Sequence, residues 1–156
     1  MRIAVACDHA GFLNKVDVIE AVTIAGHEVL DLGTDSIESV DYPDYALKLG
    51  KAILQGEANR GILICGSGVG ACIAANKIKG IYAAICHDVY SAHQGVEHDD
   101  MNVLCLGGRI IGAALIKELV WAFLNARFMG NDPGEGRHAR RVNKVRQIEE
   151  NPEYYA

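Results

Sequence analysis

Five short apolar runs punctuate this chain: "RIAVAC" (2–7), "HEVLDLG" (27–33), "RGILIC" (60–65), "YAAIC" (82–86) and "NVLCLG" (102–107). Between them lie stretches with helical spacing or turn residues. Strands that alternate with helices require right-handed crossovers, and those produce a parallel sheet covered on both faces. The pattern therefore predicts an α/β fold, an open doubly wound sandwich around a five-stranded parallel sheet. Residues 11–25 read as a helix, with Phe12, Val16, Ile19 and Val22 or Thr23 inward. Residues 41–56 read as a second, opened by Pro43, with Tyr45, Leu49, Ala52 and Ile53 inward. "AALIKELVWAFLNARF" (113–128) is a long helix. A chain of 156 residues is one domain, 1–156, long enough to bury a real core.

From about residue 130 the composition changes. "GNDPGEG" reads as a loop, and residues 137–156 read as a polar helix whose stripe of Val142, Val145 and Ile148 is too narrow for a core. That stripe suits packing on a partner subunit, so residues 130–156 are expected at a dimer interface.

In such sheets ligands sit beyond the carboxyl ends of the strands, near the switch point. The first strand is followed by Asp8, His9 and Gly11, the third by Cys65 and "GSGVG", the fourth by His87 and Asp88, and the fifth by Gly107, Gly108 and Arg109. The glycine turn has two readings. Gly66, Gly68 and Ala71 fit GxGxx(G/A), with Asp88 placed as a ribose-binding acid. A dinucleotide domain of this size leaves no separate substrate half, so a nicotinamide enzyme is set aside. Without a dinucleotide, the turn offers free backbone N–H groups to an anion or an enediolate oxygen. Cys65 at that end is either a thiolate base or a buried thiol filling space, and position alone does not choose. Asp8 is either a helix cap or a ligand for a sugar hydroxyl, with His9 meeting a phosphate.

"HDVYSAHQGVEHDD" raises a metal site through His87, His93, His98, Asp99 and Asp100, but histidine spacings of six and five do not share a helical face. No metal is expected, and His98 is more economical as a general acid. Arg137 and Arg141 are four apart and share a face, a geometry suited to gripping one phosphate, although such a cluster is also an ordinary solvated face. A net charge of −5, with no aromatic residues interleaved among the basic ones, leaves no case for nucleic acid. The five cysteines include no CxxC pair, and Cys7, Cys86 and Cys105 read as buried fillers. With no signal-peptide pattern and no apolar run long enough for a bilayer, a soluble cytoplasmic protein free of membrane contact is expected.

Taken together, "CDHAGF", "DYPDYA", "GILICGSGVGACIAANK", "VLCLGGRIIG" and "EGRHARR" resemble the ribose-5-phosphate isomerase B family, which includes galactose-6-phosphate and allose-phosphate isomerases. The resemblance runs in order along nearly the whole chain. It implies a Rossmann-like fold, a homodimer or dimer of dimers with shared sites, and cofactor-free aldose–ketose isomerisation of a sugar phosphate. Most directly it implies ribose 5-phosphate to ribulose 5-phosphate, with a hexose 6-phosphate or a non-catalytic sugar-phosphate sensor as alternatives. By position, Cys65 matches the base that moves the proton between C1 and C2. Ser67 matches the hydroxyl relaying protons at O1 and O2, and His98 the acid that opens the sugar ring. The amides of Gly66, Gly68, Val69 and Gly70 match the enediolate cradle. Asp8, His9 and Tyr42 match substrate-binding groups, Arg137 and Arg141 phosphate ligands, and Arg109 a phosphate-side arginine that the other subunit supplies. Asp99 stands where the family usually has Asn. Asn donates and accepts, whereas ionised Asp only accepts, so the exact sugar stays open.

Overall fold

The computed structural model describes residues 1–151 and Glu153; the last few residues of the predicted final helix lie outside the described residues. The elements run β1 (Arg2–Cys7), α1 (Phe12–Ile24), β2 (Glu28–Asp31), α2 (Tyr42–Leu54), β3 (Arg60–Cys65), α3 (Val69–Ala75), β4 (Ala83–Ile85), α4 (Val89–Asp99), β5 (Val103–Gly107), α5 (Ala113–Asn125) and α6 (Gly136–Glu150). All strand pairs are parallel, in the order β2-β1-β3-β5-β4. The predicted doubly wound five-stranded sheet is what forms. The central strands β1, β3 and β5 are buried almost throughout, which is why they read as unbroken apolar runs rather than alternating ones.

Two apolar layers cover the sheet. On one face, Ile3, Val5, Ile62, Ile64, Leu104 and Leu106 pack against α1, α4 and α5, with Phe123 at the centre. On the other, Ala4, Ala6, Leu63, Cys65 and Cys105 pack against α2 and α3. Chain order reverses between β1 and β3, so the loops leaving those strands open a crevice at the sheet's carboxyl edge.

The predicted inward face of α1 holds at Val22, with Phe12 and Ile19 half-buried against the core, but not at Val16. The buried face runs through Lys15, Val18, Ala21 and Val22, while Val16 is exposed. Lys15 goes inward because its ammonium pairs with Asp31 at 2.9 Å and donates to the Thr34 carbonyl at 2.9 Å, which no apolar count can foresee. Helix α2 buries Leu49 and Ala52, with Tyr45 and Ile53 half-buried, as the spacing predicts. The stripe on α6 is divided. Val142 is buried against its own chain, and Val145 and Ile148 remain exposed. Helix α6 is tied to that chain by Arg146 to Asp100 at 2.7 Å and by Glu149, which accepts from the Gly80 amide and the Tyr82 hydroxyl.

Candidate active site

At the carboxyl edge, β3 delivers Cys65 and then turns. Gly68 takes the left-handed conformation (φ 86°), which lets its amide swing back and donate to Cys65 Sγ at 3.1 Å. A thiolate accepts that bond better than a thiol does. The turn is locked from β5, because Gly108 N–H donates to the Cys65 carbonyl at 2.8 Å and Arg109 N–H to the Gly66 carbonyl at 3.0 Å. Ser67 is exposed at the tip, and its Oγ accepts from the Val69 amide at 3.3 Å. From β1, Asp8 Oδ1 accepts from the Ala10 and Gly11 amides at 2.9 and 3.1 Å. His9 Nδ1 accepts from Val40 N–H at 3.2 Å, so the neutral ring keeps its proton on Nε2.

These segments enclose a cleft of about 400 Å³ lined by Asp8, His9, Tyr42, Cys65, Ser67 and Arg109, with Gly66 and Gly70 as its backbone floor. A neighbouring hollow of about 470 Å³ between Val40, Asp44 and Lys48 holds no nucleophile and no turn of free amides. Arg109 lies 3.6 Å from where a Gly66 Cβ would stand. The resemblance implied an arginine from the other subunit here; β5 ends beside β3, and Arg109 lines the cleft of its own chain.

Four predicted residues do not join this cleft. His98 and Asp99 end α4, which starts at the carboxyl edge after β4 and runs back toward the amino edge, about 15 Å at 1.5 Å per residue. Arg137 and Arg141 lie on α6, which packs against the same end of α4. There His98 stacks on His138, with centroids 3.9 Å apart and planes 19° apart. His98 Nδ1 faces Gln94 Nε2 at 2.9 Å, and Glu135 lies 2.7 Å from Arg137 and 3.1 Å from His138. Burial pushes the His138 imidazole pKa down, and the His98 charge adds to that. The Cys65 cleft and the His98–Arg141 cluster thus lie at opposite ends of the sheet.

The remaining candidates are used structurally. Asp88 accepts from Ser91 N–H at 2.7 Å and caps α4, and those bonds hold its carboxyl below the usual range. His87 Nε2 accepts from Gly107 N–H at 2.9 Å, His93 pairs with Glu97, and Asp100 with Arg146. Among the described residues, no three His, Cys, Asp or Glu side chains converge as a metal centre requires, and no helix is long and apolar enough to cross a membrane.

Burial pushes the Cys7 and Cys86 thiols up to about 11, and Cys105 is also raised well above its ordinary value, by Cys72 first and by burial. Those three are inert fillers, as expected. Cys72, on α3, went unassigned in the sequence. Hydrogen bonding with Cys105 brings it down to about 7 against the opposing effect of burial. No motif marks it, and none marks Gln94; Glu135 and His138 lie within "EGRHARR", which assigns them no role.

The family model described as Ribose/Galactose Isomerase matches residues 3–145. Ribose-5-phosphate isomerase B of Escherichia coli is 45% identical over 149 residues, covering 96% of this chain and 97% of that protein. A D-erythrulose-4-phosphate isomerase of Pectobacterium atrosepticum is 40% identical, covering 93% of each. Among solved structures, ribose-5-phosphate isomerase B of Clostridium thermocellum superposes with a TM-score of 0.90 at 45% identity, over 96% of this chain and 98% of that one.

Proposed function

We propose, for a chain that belongs to the ribose/galactose isomerase family, that it interconverts ribose 5-phosphate and ribulose 5-phosphate in the cytoplasm, with Cys65 as the base. The chain is a sugar-phosphate isomerase of the aldose–ketose class. The observation that carries the finer reading is the cleft itself. The Gly68 amide points at Cys65 Sγ, and Ser67, His9 and Arg109 line the same 400 Å³.

In this reading the Cys65 thiolate removes the C2 proton of the open-chain aldose and returns it to C1. Charge develops on the C1 and C2 oxygens, where the amides of Gly66, Gly68, Val69 and Gly70 stabilise it, and Ser67 moves the hydroxyl proton between O1 and O2. Asp8, Tyr42 and His9 orient the hydroxyls, and Arg109 adds positive charge. His98 opens the ring, Asp99 meets a sugar hydroxyl, and Arg137 and Arg141 hold the phosphate. All four stand at the far end of their own chain, so the reading requires a second copy to bring them to the cleft. A two-fold dimer does this reciprocally and builds two composite sites. No cofactor takes part.

The test is a panel of aldose phosphates incubated with the purified protein alone. Conversion of ribose 5-phosphate at the highest kcat/KM supports the reading. A hexose 6-phosphate or a tetrose 4-phosphate at the top of the ranking replaces the substrate, and binding with no turnover replaces the activity.

A further inference from the structure

The amino-edge half-site contains a hydrogen-bond relation that the proposed reaction does not assign. Gln94 lies one turn before His98 on α4, and both are half-buried. Its Nε2 stands 2.9 Å from His98 Nδ1 and 3.4 Å from Asp99 Oδ2. The carboxylate fixes the orientation of the amide, because ionised Asp only accepts and the group facing it must be the NH₂. The same NH₂ then points at His98 Nδ1, which has to offer a lone pair. The neutral ring therefore carries its proton on Nε2. Turning the amide would let Oε1 accept from an Nδ1–H ring but would set it against the Asp99 carboxylate oxygen, so it is the Asp99 contact that selects the orientation.

The surroundings hold the ring without offering it another partner. From α6, His138 stacks flat on it, its own pKa lowered by burial first, and Glu135, Arg137 and Arg141 lie near enough to His138 to act on its charge. From its own helix come only Gln94 and, through Gln94, Asp99. Among the described residues, the Asp99 carboxylate makes no hydrogen bond to the imidazole.

We infer that Gln94 is a positioning residue that fixes His98 as the Nε2–H tautomer, so that a single N–H is presented outward to the sugar ring oxygen. The inference rests on the role given to His98 above. It also gives Asp99 a function, since a carboxylate orients the Gln94 amide where an Asn could present either a donor or an acceptor.

The test uses full-length protein labelled with ¹⁵N-histidine, and His98→Asn identifies the His98 resonances. Long-range ¹H–¹⁵N spectra are recorded at alkaline pH, where the imidazoles are neutral. In the wild type, His98 should be protonated at Nε2 with Nδ1 bare. Gln94→Leu removes the donor and should turn that pattern into a mixture of tautomers. Gln94→Glu offers only acceptors and should move the proton to Nδ1 and raise the titration midpoint. Gln94→Leu should also lower kcat on ribose 5-phosphate by about two- to twelvefold, the worth of one hydrogen bond, without changing KM. A wild-type spectrum with the proton on Nδ1, or a His98 pattern identical in all three proteins, would overturn the inference. The wild-type spectrum decides even where a variant does not fold. Failure of the functional reading looks different: ribose 5-phosphate is not turned over, and the His98 tautomer stays as stated.

Discussion

Gly70→Ala separates the architecture of the cleft from its stability. Gly70 is the second residue of α3, and a Cβ there would stand 2.8 Å from Tyr42 Cζ and 3.0 Å from Cε2. Those atoms belong to the far end of a side chain at the first position of α2, so the ring can swing away while the backbone stays. On the stabilising side, replacing a helical glycine by alanine is worth about 0.5–1 kcal/mol. On the other side, Tyr42 is 42% exposed. A side chain of its kind buries about 150–250 Å², so it holds on the order of 100 Å² here, an upper bound of about 2.5 kcal/mol. Losing about half of that contact roughly cancels the helical gain, which leaves the melting temperature within about 4 °C of wild type. The cleft, however, loses the Tyr42 hydroxyl. KM for ribose 5-phosphate should rise about two- to twelvefold, the worth of one hydrogen bond, with kcat little changed. Steady-state kinetics and a thermal melt read both quantities. Tyr42→Phe is the control and should raise KM alone. An unchanged KM for Gly70→Ala, or a melting temperature lowered by more than about 10 °C, would refute the reasoning.

Cys65→Ala should abolish turnover while substrate still binds, and Cys72→Ala should keep turnover. Alkylation at Cys72 should accelerate as pH rises through about 7, where its thiolate forms, so inactivation by alkylating reagents reports on Cys65 only in the Cys72→Ala background. Arg141→Ala should raise KM by the equivalent of about 1.5–3 kcal/mol, and Arg140→Ala, off that face, should be nearly silent; equal effects would remove the phosphate assignment. An aldose whose O4 carries the phosphate cannot close a furanose ring through O4. His98→Ala should therefore cost about 10²-fold or more in kcat/KM on ribose 5-phosphate and much less on erythrose 4-phosphate, and equal losses on both would remove ring opening from His98.

The strands were legible because burial on both faces leaves a continuous apolar run, and the cleft residues were legible because they follow directly from β1, β3 and β5. Helix α3 was legible only as a turn, since its seven residues are mostly small. Helix α4 gave no amphipathic signal, since a tyrosine, two histidines, a glutamine and acidic residues are spread among its few apolar ones. Lys15 shows the limit of hydrophobic spacing, because its burial depends on Asp31 and Thr34, which are distant in sequence. The separation of His98 and Arg137 from Cys65 depends on the path of α4 and α6 along the amino edge, which no local motif encodes. Arg109 stands beside Cys65 for a different reason, the pairing of β5 with β3, which is equally invisible to a local motif. Gln94 could be recognised only once its amide was seen between a carboxylate and an imidazole.

The central claim is that each active site joins the Cys65 cleft of one copy to the His98–Arg141 end of another. It is tested most directly by co-assembling a Cys65→Ala chain with a His98→Ala/Arg141→Ala chain and purifying the mixed dimer. Two-fold symmetry places both lesions in one composite site and leaves the other intact, so the mixed dimer should show about half of wild-type activity, although neither parent is active. Pairing Cys65→Ala with Arg109→Ala should restore nothing, because both residues line the same chain's cleft. An inactive first mixture, or an active second one, would contradict the account.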